Sequence, residues 1–175
     1  MRKIISYIAM SLDGKIARTN GDVKWLDEIP NPEKLDYGYN DFYKSIDTTL
    51  MGRTTYEHVK DFGFDYYKDT KNYVFSSRKA EPQEHLEFVT EDVVSFVKKL
   101  RKQPGKAIWL IGGGKLNTAM LKAKMIDEML LFIMPVVLGE GISLFEGEEL
   151  MHEAQLLETE TYKGGVIRLH YKFKV

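Results

Sequence analysis

The 175-residue chain has no cysteine. That absence removes a disulfide framework, thiolate metal sites and thiol catalysis together, and a reducing, cytoplasmic setting is the expectation that follows. Net charge is also nearly missing, with 25 Lys and Arg against 26 Asp and Glu. No global field would therefore draw the protein to nucleic acid or to an anionic membrane, and a small soluble partner fits better. Long apolar runs are absent too. After Met1-Arg2-Lys3, roughly eight mostly apolar residues precede Asp13, too few to span a bilayer and without a small-residue cleavage site. The four histidines, His58, His85, His152 and His170, show no ligand spacing, so no metal site is expected. No internal repeat or low-complexity segment occurs. What the chain does have is core material, 43% apolar and 12% aromatic residues, in a length usual for one domain. A single domain over residues 1–175 is expected.

Residues Ile4 to Leu12 read as a buried first strand ending at Asp13-Gly14. The stretch from Ala17 to Pro32, with Asn20-Gly21 and Pro30-Asn31-Pro32, is longer than an ordinary connection and reads as a flap, and Trp25 and Leu26 argue that it packs on something. A helix is expected over Leu35 to Ser45, then a strand over Thr48 to Met51. Thr54 and Glu57 have capping-box spacing for the helix that follows. Strands are predicted at Asn72 to Ser76 and Leu86 to Val89. Thr90-Glu91-Asp92 starts a helix whose Val93, Phe96, Val97 and Leu100 share one face. Ala107 to Ile111 forms a strand that runs into Gly112-Gly113-Gly114, and Leu116, Ala119, Met120 and Ala123 continue as a helix. Met129 to Leu138 predicts a long central strand disturbed at Pro135. Ile167 to Val175 alternates as a last strand fed by a Lys163-Gly164-Gly165 hairpin turn. Together these predict an α/β fold with a mixed sheet and flanking helices.

Three strand ends carry anion-binding chemistry. Gly112 to Gly114 puts bare backbone amides at a helix N-terminus, an arrangement that binds phosphate, although a tight turn alone would also use such glycines. A dinucleotide fingerprint of the G-x-G-x-x-G kind needs a glycine where Asn117 stands, and Asp127 and Glu128 come too early for its acidic partner. Gly52-Arg53-Thr54-Thr55 offers a cation and two hydroxyls at a helix start, and an exposed arginine beside an ordinary cap is the alternative. Ser76-Ser77-Arg78-Lys79 is either a third such site or a polar turn. A ligand with a pyrophosphate and one further phosphate, as in NADPH, matches the repetition.

Four ordered motifs then resemble a known family. They are Ala9-Met10-Ser11-Leu12-Asp13-Gly14-Lys15-Ile16-Ala17, Met51-Gly52-Arg53-Thr54-Thr55-Tyr56, Ile111-Gly112-Gly113-Gly114-Lys115-Leu116 and Pro135-Val136-Val137-Leu138-Gly139-Glu140-Gly141. Their order over nearly the whole chain is similar to the reductase domain of the bifunctional riboflavin-biosynthesis deaminase-reductase, and shorter forms resemble dihydrofolate reductase. The resemblance implies a dihydrofolate reductase-like three-layer fold, with a mixed sheet of about eight strands and an antiparallel C-terminal hairpin. It implies an NADPH-dependent reductase acting on a pterin-like or ribosylaminopyrimidine substrate, and a homodimer through the long apolar strand and the C-terminal strands. No deaminase or zinc motif is present, so the form is stand-alone. By resemblance, backbone groups of Ala9 and Ile16 hold the nicotinamide carboxamide, and the loop after Ile16 closes over it. Gly52, Arg53, Thr54 and Thr55 meet phosphates, with Arg53 near the 2′-phosphate. Ser76, Ser77 and Arg78 flank the adenosine, while Ile111, Gly112, Gly113, Gly114, Lys115 and Leu116 wrap the pyrophosphate.

The proton donor is not identified by these motifs. Dihydrofolate reductases place a carboxylate on the first helix, one turn before a packed aromatic. Counting back one turn from Phe42 reaches Gly38, which leaves Asp36 and Asp41 as off-register candidates or as solvated helix acids. The aromatic residues at 37–43 and 62–67 offer rings for a flat heterocycle or for core packing. An NADP(H)-binding protein without turnover and a flavin-dependent reductase using the same phosphate sites are the alternatives to the NADPH reductase.

Overall fold

The apolar runs of the sequence become the parallel centre of one twisted sheet. The computed structural model describes residues 1–61, 67–147 and 149–174. Its strands are β1 (Ile4–Ser11), β2 (Lys15–Ala17), β3 (Ile46–Gly52), β4 (Lys71–Phe75), β5 (Leu86–Val89), β6 (Ala107–Gly112), β7 (Glu128–Met134), β8 (Ile142–Ser143), β9 (Ala154–Thr161) and β10 (Ile167–Phe173). Four helices join them: α1 (Tyr39–Ser45), α2 (Arg53–Asp61), α3 (Val93–Leu100) and α4 (Gly114–Lys122). The main sheet has eight strands in the order β5-β4-β3-β6-β1-β7-β10-β9. The first six run parallel. β10 joins β7 antiparallel and β9 joins β10 likewise.

Alternation along the strands gives the sheet two apolar faces, and each finds a cover. On one face Ile4, Leu50, Ile108 and Leu110 pack under Val97 and Leu100 of α3 and Leu116, Met120 and Leu121 of α4. On the other, Phe42 of α1 packs with Ile46 and Trp109, and Tyr56 of α2 packs with Met51 and Val74. Over β1, β7 and β10 the segment after β2 replaces a helix. Its Trp25, on a 3₁₀ turn at Lys24–Glu28, is buried with Phe132, Met134 and Val166. The flap expected over Ala17 to Pro32 is thus an anchored segment.

Several boundaries differ from expectation for identifiable reasons. The first helix begins at Tyr39 and not near Leu35, because Tyr37 and Gly38 adopt left-handed backbone at φ 54° and 81°. The Thr54–Glu57 capping box does not form. The helix already starts at Arg53, and Glu57 bridges Arg53 and Lys60 instead. The cap of α3 is Asp92, which accepts from the Ser95 amide at 2.9 Å, and not Thr90. The central strand stops at Met134, since Pro135 lacks the amide that would continue the ladder. β9, which the alternation pattern did not reveal, is exposed along its whole length and so carries no such pattern. The hairpin turn forms as expected, with Tyr162 N–H bonded to the Val166 carbonyl at 2.9 Å. Residues 62–66 and Val175, which the sequence placed among ring-bearing candidates and in the last strand, lie outside the described residues.

Two motifs far apart in sequence meet at Asp13. Its carboxylate accepts from the Ser11 hydroxyl at 2.6 Å and from the amides of Leu138 and Gly139 at 3.0 and 2.8 Å. The turn after β1 is thereby fastened to the turn after β7. The Ser11 hydroxyl bond, followed by the Leu138 amide, pulls the Asp13 carboxyl down to about 2 from an ordinary 3.8. A depressed folded-state value contributes stability that is complete above the ordinary value and lost as pH falls through the folded one. Asp13→Asn should therefore lower Tm at neutral pH. In paired thermal melts the gap to wild type should close between pH 4 and about 2, and a gap constant across that range would contradict the role given to Asp13.

Candidate functional site

The sheet carries a seam at its middle. β1 pairs with β6 only at Ile4–Ile108 and Ile5–Trp109, whereas β1 continues to Ser11 and β6 to Gly112. Beyond that register the strands part, and Trp109 Nε1 donating to the Tyr7 carbonyl at 3.2 Å spans the start of the gap. A cleft of about 1200 Å³ opens there, lined by Tyr7, Ile8 and Ala9 from one side and Trp109 and Ile111 from the other. Ligands of parallel sheets bind outside the carboxyl ends of the strands, where successive connections diverge, and this cleft occupies that place.

One end of the cleft is built to receive anions. β3 and β6 are neighbours with Met51 opposite Gly112, so α2 and α4 leave adjacent strands. Gly52, Arg53, Thr54 and Thr55 from the start of α2, and Gly113, Gly114, Lys115 and Leu116 from the start of α4, all line the cleft. First-turn amides of a helix have no intrahelical acceptor and attract negative charge. Gly112 and Gly113 have φ of 110° and 98°, backbone that a side chain would strain. The Gly112 carbonyl accepts from the Thr55 hydroxyl at 3.2 Å, which ties the two helix starts together. The Arg53 guanidinium is held over the rings of Phe88 and Tyr56, 5.0 and 5.6 Å from their centroids, and paired with Glu57. The Glu57 carboxyl sits below its usual range because Lys60 and then Arg53 bond to it.

The other end is aromatic. Tyr7, Tyr39, Tyr67 and Trp109 line it, and Trp109 lies 5.9 Å from Tyr39 and 5.8 Å from Tyr67 between ring centroids. Burial raises the Tyr7 and Tyr67 phenols above their ordinary value, so both stay neutral, and Tyr7 donates to the Tyr37 carbonyl at 3.2 Å. Leu26, in the cluster that includes Tyr7, brings its neighbour Asp27 to the cleft wall. Sequence reasoning misses Asp27 because Lys24–Glu28 reads as loop. The signal that could have found it is the packed Trp25-Leu26 pair directly before an acid. Glu146 also lines the cleft, lying against Gly114 where a Cβ would collide with it.

Of the residues singled out by sequence, Ala9, Ile16, Gly52, Arg53, Thr54, Thr55, Ile111, Gly113, Gly114, Lys115 and Leu116 come together around this cleft. Gly112 stands behind it, fixed through its carbonyl. Ser76, Ser77 and Arg78 follow Phe75, the β4 residue paired with Gly52, and so sit one strand outward from Arg53. The Ser76 hydroxyl there accepts from the Arg78 amide at 3.1 Å, forming a turn outside the cleft lining. Asp36 and Asp41 are not among the residues that line the cleft. Asp36 accepts from the amides of Gly38 and Asn40, which lowers its carboxyl, and Asp41 is exposed beside Lys44 at 3.6 Å.

Among the described residues no cluster of His, Cys, Asp or Glu could hold a metal, and no helix is long and apolar enough to cross a membrane. Comparison with known proteins agrees with this architecture. The uncharacterized protein YwjB of Bacillus subtilis is 42% identical, covering 97% of each chain. The crystal structure of a riboflavin biosynthesis protein from Shewanella sp. PV-4 superposes with a TM-score of 0.87 at 29% identity over 99% of both chains. Dihydrofolate reductase from Enterococcus faecalis, solved with NADP(H), shares the fold alone, with a TM-score of 0.67 at 13% identity over 99% of this chain and 97% of that one. The model of the RibD C-terminal domain family matches residues 2–168, and the protein accordingly belongs to that reductase-type family with a dihydrofolate reductase-like fold.

Proposed function

We propose that the protein is an NADPH-dependent reductase of a flat nitrogen heterocycle, pterin-like or a ribosylaminopyrimidine. The observation that carries this reading is the union, in one cleft, of an anion-receiving end and an aromatic end with a carboxylate. The donor set fits the cofactor, since two helix starts, Arg53 and Lys115 match a pyrophosphate and a further phosphate. Gly113, Gly114 and Thr55 would hold the pyrophosphate, and Arg53 the additional phosphate. Ala9, on the open edge of β1, and Ile16, on β2, would offer backbone groups to a carboxamide. Bound in this way, the dihydronicotinamide supplies a hydride.

The chain's own residues would supply the rest. Tyr39, Tyr67 and Trp109 would offer the aromatic wall against which a planar ring packs. Asp27 bonds the donor edge of that ring and passes a proton toward the reduced atom, directly or through a water. Tyr7 is excluded as proton source, since its hydrogen is committed to the Tyr37 carbonyl. The 3₁₀ turn anchored by Trp25 limits water at this end. The homodimer that the resemblance implies, through the long apolar strand and the C-terminal strands, would involve β7, β9 and β10, and β9 has β10 as its one strand neighbour among the described residues.

Fluorescence titration tests the cofactor assignment. NADPH should bind more tightly than NADH, and Arg53→Ala should cost about 1 to 3 kcal/mol with NADPH and little with NADH. An equal loss with both cofactors would remove Arg53 from the phosphate site. Asp27→Asn should lower kcat about a hundredfold or more while leaving NADPH affinity unchanged, and steady-state assay on pterin and aminopyrimidine substrates reads both. If NADPH raises Tm but no such substrate is reduced by the wild-type protein, the chain is a cofactor-binding protein without turnover.

A further inference from the structure

We infer that His58 is a positioning residue that latches the 18–22 turn across the mouth of the cleft and so slows release of the bound cofactor, an inference that rests on the cofactor reading above. On α2, residues three and four apart share a side, and His58 stands one turn beyond Thr54 and Thr55. All three line the cleft. Across the opening, residues 18–22 form a turn closed on itself. Arg18 N–H bonds the Asp22 carbonyl and Gly21 N–H bonds the Arg18 carbonyl, each at 2.9 Å, while the Asn20 side chain accepts from the Asp22 amide at 3.0 Å.

This turn rests on the imidazole. Nε2 of His58 lies 2.8 Å from the Asn20 carbonyl. A carbonyl can only accept, so Nε2 carries the proton and donates it. Gly21 is buried between two less covered neighbours, and a Cβ built on it would overlap the imidazole ring. Its φ of 88° adds backbone strain for any other residue. Glycine here lets the turn settle directly onto the ring, and Thr19 and Gly21 thereby become part of the cleft wall.

The latch reaches the aromatic end as well. Asp22, which closes the turn, accepts through its side chain from the Lys24 amide at 3.0 Å, at the start of the 3₁₀ turn that carries Trp25 and Asp27. One imidazole on the helix of Arg53 therefore holds a segment that leads into the carboxylate of the opposite wall. Release of that contact would loosen the turn first, with Asp27 next along the chain.

Two measurements on the full chain test this. Hydrogen exchange of the Arg18 and Gly21 amides in the ligand-free protein reads the latch itself, and stopped-flow displacement of NADPH reads its consequence. His58→Ala should speed exchange at both amides and raise the NADPH dissociation rate between about three- and tenfold, the loss expected for one hydrogen bond. His58→Gln, whose Nε2 can also donate, should restore both toward wild type. Gly21→Ala, which forces the turn off the ring, gives an independent second variant and should reproduce the faster exchange. Unchanged exchange in His58→Ala overturns the latch, and faster exchange without faster release overturns its control of the cofactor. Failure of every variant, wild type included, to bind NADPH would overturn the cofactor reading, and the exchange comparison would still decide the latch.

Discussion

Two parallel strands that share a register for two residues and then separate are the constraint on which the rest of this molecule depends. A continuous ladder between β1 and β6 would satisfy every backbone group and leave no cleft. By parting after Ile5 and Trp109, the strands expose an open edge near Tyr7, Ile8 and Ala9. Unpaired backbone polar groups are costly unless water or a ligand meets them. The seam is therefore both a break in the sheet and a set of hydrogen-bonding positions awaiting a partner. Helices α2 and α4 emerge beside it and add the field of their first turns.

The recurring motifs are held together by contacts that none of them contains alone. Asp13 fastens the first motif to the Pro135–Gly141 turn. Thr55 joins the second to the third through the Gly112 carbonyl. Asn117, buried beneath Gly112, donates to the Leu144 carbonyl at 3.0 Å and pins the 142–146 segment against α4. This also explains why a glycine of the ordinary dinucleotide fingerprint is missing. The position is occupied by a side chain that ties in a neighbouring loop, so the glycine turn serves a different sheet topology.

Much of this architecture is legible in the amino-acid sequence. The buried strands, the glycine turn and the Arg53 helix start carry strong periodicity and distinctive chemistry, and they converge as those patterns imply. What escapes has weak local signals. Asp27 lies on a short 3₁₀ turn within a long connection, where position is set by the burial of Trp25 and not by periodicity. Asp36 and Asp41 are off register for a carboxylate one turn before Phe42, and neither lines the cleft. With the first helix starting at Tyr39, Asp36 becomes an acceptor for the turn before it. The Thr54–Glu57 spacing matches a capping box, but the helix already starts at Arg53 and Glu57 finds partners in Arg53 and Lys60. β9 has no buried face, so alternation could not mark it.

We propose that a phosphorylated nicotinamide dinucleotide lies across the seam with its phosphates between the starts of α2 and α4. Backbone amide chemical shifts followed during titration with NADPH test this most directly. The amides of Arg53, Thr54, Gly113, Gly114 and Lys115 should shift together at one saturating affinity, with Ala9 and Ile16 following the same curve. Saturable shifts confined to β9 and β10, with the amides at the two helix starts unmoved, would contradict it.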